Sequence, residues 1–379
     1  MPSQSSPQPF ISVCIVTGRR LAMLDAVLAC LAAQRGAPSF ELLVGSDGDA
    51  DVRAAVHRRF PAARVCELTR ALPGAARNVL VEQARGDLLL FLDDDITFDP
   101  DLLARYAALA AERPEVGVFG GPNDTPPSST RFQFVQGAVL ASMVGSGPVR
   151  RRYGAHPAGT AGDQAFILCN LAVRRDVMVR FPDDFLCAEE NALLSDLRHH
   201  EVVMYYAPEL AVYHERRPTP RGFAQQMHKY GRGRGLLLRR EPGTFRPWYA
   251  APSAFLAYLL VLPLLVLAFG PAAAVPVVAY VAAVLAGAAW IARTLRRPGA
   301  LPLAAGLLVV LHACYGAGVV RGLVAPVPPS TPLEGRWSSA PVEEVTGGAD
   351  DVIDLRDGAP EVPGLQPRGA DGPPMTVLE

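Results

Sequence analysis

Short apolar runs and segments with helical spacing alternate along the first 216 residues. The short runs, bounded by turn residues, are typical of buried strands, and the longer segments of helices that cover a sheet. Strands that alternate with helices indicate βαβ units, so this part of the chain is predicted to be α/β with a mainly parallel sheet. The predicted strands are residues 11–16, 41–45, 64–68, 88–92 and 166–173, and the predicted helices are residues 21–34, 73–85 and 185–199.

The pattern changes beyond residue 217. Residues 223–240 are basic and aromatic, which is typical of an interfacial amphipathic helix beside anionic lipid. Three apolar stretches follow, at residues 253–269, 272–291 and 301–320. Because a membrane span needs about 20 apolar residues, the first stretch is short. Two alternatives therefore stay open: three spans, or a re-entrant hairpin made by the first two stretches and one full span.

The connection between the second and third stretches carries Arg293, Arg296 and Arg297. Short positive loops stay in the cytoplasm, so both alternatives predict a cytoplasmic N-terminal domain and a tail on the other side. We expect a disordered N-terminus over residues 1–9, an α/β domain over 10–216, a basic interfacial segment over 217–250, a membrane region over 251–324, and a disordered, acidic, Pro/Gly-rich tail over 325–379.

Composition narrows the classes of function. The net charge of the 379 residues is −1, which gives no support to a nucleic-acid partner. The six cysteines form no CxxC pair and have no metal-ligand spacing, so we expect small, buried, reduced side chains. The first nine residues are polar and have no apolar core of a signal peptide.

The most informative motif lies at the end of the predicted strand 88–92, where the apolar run stops at Asp93, Asp94 and Asp95. Ligands of open α/β sheets bind at the carboxyl ends of the strands. Three adjacent acids repel one another there unless a cation or hydrogen bonds offset the charge. Oxygen ligands suit Mg²⁺ or Mn²⁺. The alternative is a solvated strand-to-helix turn, in which Asp99 caps a helix after Pro100.

Further motifs follow in a fixed order along residues 10–216: residues 12–17, 41–48, 76–78 with 84–87, 91–95, 170–175, 188–191 with 197–198, and His214. With these motifs the region resembles the family 2 glycosyltransferases, which are inverting enzymes with the GT-A fold. The basic segment and the apolar stretches further resemble membrane-bound bacterial members that build exopolysaccharide, of the succinoglycan glucosyltransferase kind.

The resemblance implies a nucleotide-sugar donor and a Mg²⁺ or Mn²⁺ ion at the strand ends. It assigns Asp47 to the uracil or ribose, Arg77 to the base or ribose and Asp94 to the ribose, and it places the ion beside the diphosphate. The residues implied to bind the nucleotide sugar are Thr17, Asp47, Arg77, Asp93 and Asp94, and those implied to hold the metal are Asp95, Asp93 and His214.

The resemblance also implies that residues 188–191 lie where the acceptor sugar binds. The family carries Glu-Asp where this chain has Glu189 and Glu190, so Glu190 is the expected general base, one methylene longer than the family's residue. Glu189 and Asn170 are expected on the acceptor side. On the residues alone, the two glutamates also fit the N-terminal turn of a helix, where acids favour the macrodipole.

The resemblance thus predicts metal-dependent, inverting sugar transfer to a lipid-linked or growing glycan acceptor, on the cytoplasmic face of a bacterial inner membrane and in contact with its lipid. Three alternatives remain. A processive polysaccharide synthase would carry the QxxRW motif, to which Gln226–Tyr230 corresponds only in part. A haloacid-dehalogenase-type phosphatase would need a lysine in the domain, but the only lysine is Lys229. The third is a non-enzymatic membrane scaffold.

Overall fold

The computed structural model describes residues 10–18, 20–48, 50–68, 71–183, 185, 188–326 and 336–338. Strands and helices alternate through the first 214 residues, as the apolar pattern predicts. The strands of this part are β1 (Ile11–Thr17), β2 (Phe40–Ser46), β3 (Arg64–Glu67), β4 (Leu88–Asp93), β5 (Ile96–Phe98), β6 (Val116–Gly120), β7 (Asn123–Asp124), β8 (Gly159–Thr160), β9 (Asn170–Arg174), β10 (Val203–Tyr206) and β11 (Val212–His214).

The helices of the same part lie between these strands and are followed by four long C-terminal helices. The first set is α1 (Leu21–Ala32), α2 (Ala50–Arg59), α3 (Pro73–Gln83), α4 (Leu102–Glu112), α5 (Arg131–Leu140), α6 (Met143–Ser146) and α7 (Glu189–His199). The C-terminal set is α8 (Pro220–Arg240), α9 (Pro247–Phe269), α10 (Val275–Thr294) and α11 (Leu301–Val324), and a last strand, β12, covers Arg336–Ser338.

One large sheet organises the domain, with the strand order β12-β3-β2-β1-β4-β9-β6-β10-β8. Strands β3, β2, β1 and β4 are parallel, whereas β9 is antiparallel to both of its neighbours. A small second sheet has the order β5-β11-β7. The predicted α/β class with a mainly parallel sheet is confirmed.

Both faces of the large sheet are buried, which explains why its strands are apolar at nearly every position. On one face, α1, α2 and α4 pack around Leu28, Val56 and Tyr106. On the other face, α3 and α7 pack around Leu80 and Leu194. Helices on both faces leave the carboxyl ends of the parallel strands as the open edge of the domain.

Three predicted elements differ from the structure. The strand predicted over 166–173 begins at Asn170, because Asp163–Ala165 and the residues after it form turns. After the acid triplet the chain forms β5, and α4 starts only at Leu102, so no helix capped by Asp99 begins at Pro100. Residues 145–162, which are rich in Gly, Pro and Arg and are therefore predicted to be a mobile loop, partly form a 3₁₀ helix, Gly147–Arg152, whose last side chain is buried.

Helices α8 and α11 pack closely along their length through glycines on both helices. A Cβ atom at any of these glycines would lie 2.1–2.2 Å from a backbone carbonyl oxygen of the partner helix. Only glycine therefore permits this backbone approach, as in small-residue helix pairs of membranes. The four glycines are Gly231 and Gly235 on α8 and Gly318 and Gly322 on α11.

Within the part of the chain that the structure describes, three helical segments are long and apolar enough to cross a membrane: Pro247–Phe269, Pro271–Thr294 and Pro298–Val324. The first is 23 residues long, rather than the 17 predicted, and at ~1.5 Å per residue it covers about 34 Å, enough for the hydrocarbon core. Its outer surface is apolar and exposed, at Leu260, Leu264 and Leu267 among others. A helix with such a surface is suited to lipid rather than to water.

The C-terminal strand β12 pairs antiparallel with β3 in the large sheet, through Arg336, Trp337 and Ser338. Two paired strands lie on the same side of a membrane. Each complete crossing takes the chain to the other side of the membrane. The pairing of β12 with β3 is therefore possible if residues 247–324 cross the membrane an even number of times, but not if they cross it three times. The expectation that the whole tail lies on the opposite side from the domain is therefore corrected for residues 336–338; the remainder of residues 327–379 is outside the described part of the chain.

Candidate active site

The parallel register brings the polar ends of three strands to one edge of the sheet. Thr17 of β1 lies beside Ser46 of β2, and Val16 lies beside Asp93 of β4. Asp47 follows Ser46 directly and is exposed. The structure thus brings Thr17, Asp47 and the acid triplet to the same edge, as the strand pattern predicts.

Asp94 and Asp95 are the buried members of the triplet. Asp94 is 0% exposed and accepts a hydrogen bond from Thr17 Oγ1 at 2.6 Å. Arg20, in the turn before α1, makes ion pairs with both acids; its Nη1 lies 2.6 Å from Asp95 Oδ2. Hydrogen bonds and one guanidinium therefore offset part of the negative charge at the strand end.

His214 reaches the triplet because β11 pairs with β5, which continues the chain after Asp95. Its Nδ1 lies 3.0 Å from the backbone carbonyl oxygen of Glu215. A carbonyl only accepts, so Nδ1 carries the proton and Nε2 presents its lone pair. That nitrogen lies 3.3 Å from Asp95 Oδ1, a buried oxygen without a hydrogen-bond partner among the described residues.

His214 Nε2 and Asp95 Oδ1 are both acceptors, and two buried acceptors that face each other are suited to bind a cation between them. Asp93, Cys169 and His214 present ligand atoms within 4.8 Å of one another, and Asp95 Oδ1 faces the same histidine. Carboxylate oxygens and an imidazole suit Mn²⁺ or Mg²⁺. Burial raises the pKa of the Cys169 thiol well above its usual value, so a neutral sulfur is a poor ligand for a hard cation. The residues therefore fit a metal held by Asp93, Asp95 and His214.

Burial acts differently on the pKa values of this group. It raises the pKa of Asp93 and of Asp94 and lowers the pKa of His214, because each ionised form is poorly solvated. Burial also disfavours ionised Asp95, but the charge and the hydrogen bond of Arg20 act in the opposite direction, and the pKa of that carboxyl group is lowered. Asp95 is therefore the acid of the triplet that stays ionised most readily.

Arg77 connects the two sides of the site. It lies in the second turn of α3, which begins at Pro73, and it is buried. Its Nη1 donates to Glu189 Oε1 at 2.7 Å, and its Nη2 lies 3.2 Å from Asp93 Oδ1. Burial raises the pKa of Glu189, although the charge of Arg77 acts in the opposite direction. Arg77 and Glu189 thus form a buried ion pair that ties α3 and the start of α7 to the triplet.

Glu190 and Asn191 lie on the open side of the first turn of α7. Asn191 Nδ2 donates to Glu190 Oε1 at 2.8 Å, and Arg152 Nη1 lies 3.5 Å from the same oxygen. The residue before the helix, Ala188, has a φ of 70°, in the left-handed region. Both glutamates line the cavity, and Glu189 is the one that pairs with Arg77.

Asn170 is in a different place from the one predicted. Its Oδ1 accepts a hydrogen bond from the Tyr106 hydroxyl at 2.7 Å, and its Nδ2 donates to the backbone carbonyl oxygen of Leu210. The side chain is fully buried and does not line the cavity. Its contacts connect the sheet to α4, so the structure gives it a role in the fold rather than in an acceptor wall.

A single cavity of about 1010 Å³ runs from the triplet to the C-terminal helices. At one end its wall is the acid triplet with Arg77, Glu190 and His214. At the other end it is aromatic and comes from α9, α10 and α11: Tyr249, Phe255, Tyr280, His312 and Tyr315. Basic and polar residues of α8 and of the 140–153 segment lie between the two ends, among them Arg152, Lys229, Tyr230 and Arg234.

Sequence reasoning missed four residues of this site. Arg20 follows the end of β1, so the argument that identified the triplet could have found it. Cys169 was taken for a plain core residue. Arg234 was placed beside lipid, and Arg152 in a mobile loop, yet both side chains are buried. Their positions depend on contacts between distant parts of the chain, such as Arg152 with Asn191 and Arg234 with Asn191.

Comparisons with known proteins give the class of the domain. The sequence model of the family described as Glycosyl transferase family 2 matches residues 12–176. Among solved structures, the mannosyltransferase PcManGT from Pyrobaculum calidifontis, in complex with GDP-Man and Mn²⁺, is similar with a TM-score of 0.52 and 18% identity, over 84% of this chain and 88% of that one. S. aureus TarS 1–349 in complex with UDP-GlcNAc follows with a TM-score of 0.46 and 16% identity, over 82% and 91% of the two chains.

No curated protein matches the chain significantly. The likeness to PcManGT shows a GT-A-type fold with a mainly parallel sheet, which confirms the predicted fold. Residues 12–176 match the family 2 glycosyltransferase model, and the protein is a glycosyltransferase.

Proposed function

We propose that this enzyme transfers a sugar, with inversion and with the help of Mg²⁺ or Mn²⁺, from a nucleotide-diphosphate donor to a lipid-linked acceptor or to a glycan growing on such a lipid. The reaction takes place at the cytoplasmic face of a bacterial inner membrane and serves the synthesis of exopolysaccharide. The single observation that carries the proposal is the cavity, which joins the acid triplet to helices with a lipid-suited surface.

The donor half of the proposal is supported by the triplet and by the neighbours. PcManGT is in complex with GDP-Man and Mn²⁺, and its fold is the fold of this domain. Asp93, Asp95 and His214 have the donor set for such an ion, and Asp47 and Asp94 lie at the edge where the nucleoside would bind. When bound, the ion supplies Lewis-acid stabilisation of the negative charge on the departing nucleoside diphosphate.

The chain's own residues account for the remaining steps. Glu190 accepts the proton of the acceptor hydroxyl while that oxygen attacks the anomeric carbon from the side opposite the leaving group. Asn191 holds the glutamate on the cavity wall through its amide. Arg77 keeps α7 against the triplet, so that base and donor stay in one geometry.

The acceptor half is supported by the aromatic end of the cavity. Phe255, Tyr280 and His312 form a contiguous aromatic wall, with ring centroids 4.5 and 5.7 Å apart. Such a wall suits an apolar chain and leaves few polar groups unpaired. An acceptor with a lipid tail can place the tail there and its head group at Glu190.

The test is a donor screen by nucleotide release. The full chain in membranes is incubated with UDP-, GDP- and TDP-sugars and a lipid extract as the acceptor source. We expect release from one donor class, dependent on added Mn²⁺ or Mg²⁺. Asp95→Asn should remove most activity and the metal-dependent part of nucleotide binding, because a carboxamide lacks the charge that holds the ion.

The matched control is Asp101→Asn, which alters an exposed acid paired with Arg105 at the start of α4. It should keep the wild-type rate. Full activity in EDTA would contradict the metal-dependent mechanism, and equal activity with and without lipid acceptor would contradict the acceptor class.

A further inference from the structure

Two guanidinium groups are buried on the acceptor side of the cavity. Arg152 is 5% exposed and Arg234 is 7% exposed. Each donates from Nη2 to the same atom, Asn191 Oδ1, at 2.8 Å. The amide oxygen is thus occupied by two cations, which turns the Asn191 NH₂ group to Glu190. The two guanidiniums are held within a few ångströms of each other by one shared acceptor.

Their charge is only partly offset. Arg152 has one carboxylate nearby, Glu190 at 3.5 Å, and a backbone bond to the Gln164 carbonyl oxygen. Arg234 lies over the Tyr249 ring at 3.9 Å and interacts with the Tyr315 hydroxyl. Among the described residues, no carboxylate lies within 4.0 Å of Arg234. Two buried cations that share one acid keep a net positive charge, and burying such a charge is costly without an anion.

The position of the pair separates it from the donor site. Arg152 and Arg234 line the cavity beside Glu190 and Asn191, on the side where α8 meets Tyr249 of α9 and Tyr315 of α11. The donor diphosphate has its own counter-charge in the metal set of Asp93, Asp95 and His214. A planar guanidinium fork matches phosphate oxygens in two places at once. The second positive centre therefore belongs to the acceptor.

We propose that Arg152 and Arg234 form the site that binds a phosphate or diphosphate group of the acceptor. The inference rests on the proposed function and deepens it, since it assigns the anion of a phosphorylated lipid to two residues. Because Arg152 lies 3.5 Å from Glu190, the anion and the reacting hydroxyl belong to the same small head group. The enzyme accepts a lipid phosphate that carries a short glycan, and discriminates against acceptors whose reacting sugar is far from the phosphate.

The experiment measures equilibrium binding of farnesyl diphosphate, and of farnesol as its phosphate-free analogue, to the full chain in phosphatidylcholine nanodiscs. Farnesyl diphosphate should bind more than about tenfold more tightly than farnesol, the scale of a charge-assisted pair of hydrogen bonds. Arg152→Gln and Arg234→Gln should each remove about tenfold of that preference and leave farnesol binding unchanged. Arg234→Lys should keep part of the preference for farnesyl diphosphate, because lysine has the positive charge of arginine but not its planar, two-pronged guanidinium group.

Arg221→Gln is the control, since Arg221 is exposed in the first turn of the same helix and does not line the cavity. It should bind as the wild type does. UDP with Mn²⁺ is titrated against every variant, so that a misfolded variant is recognised by its loss of donor binding. Arg234→Lys then carries the comparison if Arg234→Gln does not fold.

Three outcomes would overturn the inference: unchanged farnesyl diphosphate binding in both glutamine variants, equal affinity for farnesol and farnesyl diphosphate, or displacement of farnesyl diphosphate by UDP with Mn²⁺, which would assign the two arginines to the donor. Failure of the proposed function has a different signature. In that case neither prenyl compound binds, while the nucleotide still does.

Discussion

At the scale of single residues, the two adjacent glutamates of α7 show how one turn separates two tasks. Glu189 is buried against Arg77 and stabilises the join between α3 and α7. Glu190 faces the cavity, with Asn191 and Arg152 at its carboxylate. The residue types alone could not distinguish their roles, because both fit a helix N-terminus equally well; it was the family resemblance that singled out Glu190.

Replacement of the proposed base tests this division. Glu190→Gln should lower turnover by about 100-fold or more, the usual scale for loss of a general base, because an amide cannot take the proton. Its oxygen still accepts the hydrogen bond from Asn191, so donor affinity should not change. Turnover is measured as the single-turnover rate, and donor affinity by equilibrium binding of the nucleotide.

Glu112→Gln, at the exposed end of α4, serves as the control for the Glu190 experiment and should leave both quantities unchanged. A parallel fall of turnover and donor affinity in Glu190→Gln would show that the residue supports the structure instead of the proton transfer.

At the scale of elements, the pairing of α8 with α11 decides how the domain meets the apolar helices. The two helices approach so closely that backbone of one contacts glycine of the other, at Gly231, Gly235, Gly318 and Gly322. Their contact holds Arg234 next to Tyr315 and closes one wall of the cavity. The predicted basic, interfacial segment is thus a 21-residue helix with one face buried between the domain and α11.

One added methyl group at the contact between α8 and α11 should push the two helices apart. A Cβ atom at Gly318 would lie 2.2 Å from the His228 carbonyl oxygen, whereas one at Gly306 of the same helix meets nothing within 4 Å. Gly318→Ala should destabilise the folded protein by ~1–3 kcal/mol through overpacking. Gly306→Ala should be neutral or stabilising by up to ~1 kcal/mol, because alanine favours the helix.

Thermal unfolding in detergent compares the two alanine variants, and opposite signs are expected. A Gly318→Ala protein as stable as Gly306→Ala would mean that the two helices can separate without loss, and the close contact would then not hold the cavity wall.

At the scale of the whole molecule, the pairing of β12 with β3 constrains the membrane topology. The α10–α11 connection also touches the domain, since a side chain at Gly299 would collide with the Arg131 guanidinium. At its other end α11 accepts bonds from Arg239 at the carbonyl oxygens of Leu323 and Ala325. One end of α11 therefore lies against α5 of the domain and the other against α8, and we predict that α9 and α10 enter the bilayer as a pair.

Cysteine labelling in intact cells measures this arrangement, in a background without the native cysteines. Ser338→Cys should react only after the membrane is permeabilised, since residues 336–338 lie on the domain's side. Pro271→Cys, in the turn between α9 and α10, should react from outside if the pair crosses fully. If α9 and α10 instead form a re-entrant hairpin, Pro271→Cys should not react in either intact or permeabilised cells.

Labelling of Ser338→Cys from outside would contradict the pairing of β12 with β3 and would restore an odd number of crossings, either three or one. Asp101→Cys, an exposed position of the domain, reports the inside and controls for leaky cells.

The sequence by itself determined the features that depend on local patterns. Apolar runs that end at Thr17, Ser46 and Asp93 predict strands, and in parallel strands the polar residues after such runs share one edge. The order of the motifs was sufficient for the family and for the fold. It also marked the triplet, His214 and Glu190 as candidates before any contact between them was known.

Only the tertiary structure decided which distant residues meet. Asn170 accepts a hydrogen bond from Tyr106 and donates one to Leu210, which lie 64 and 40 residues away in the chain. Arg152 and Arg234 share Asn191 although 39 and 43 residues separate them from it. Burial of a guanidinium, the orientation of a histidine nitrogen and the side on which a C-terminal strand lies all depend on contacts far apart in the chain, which local patterns of polarity do not encode.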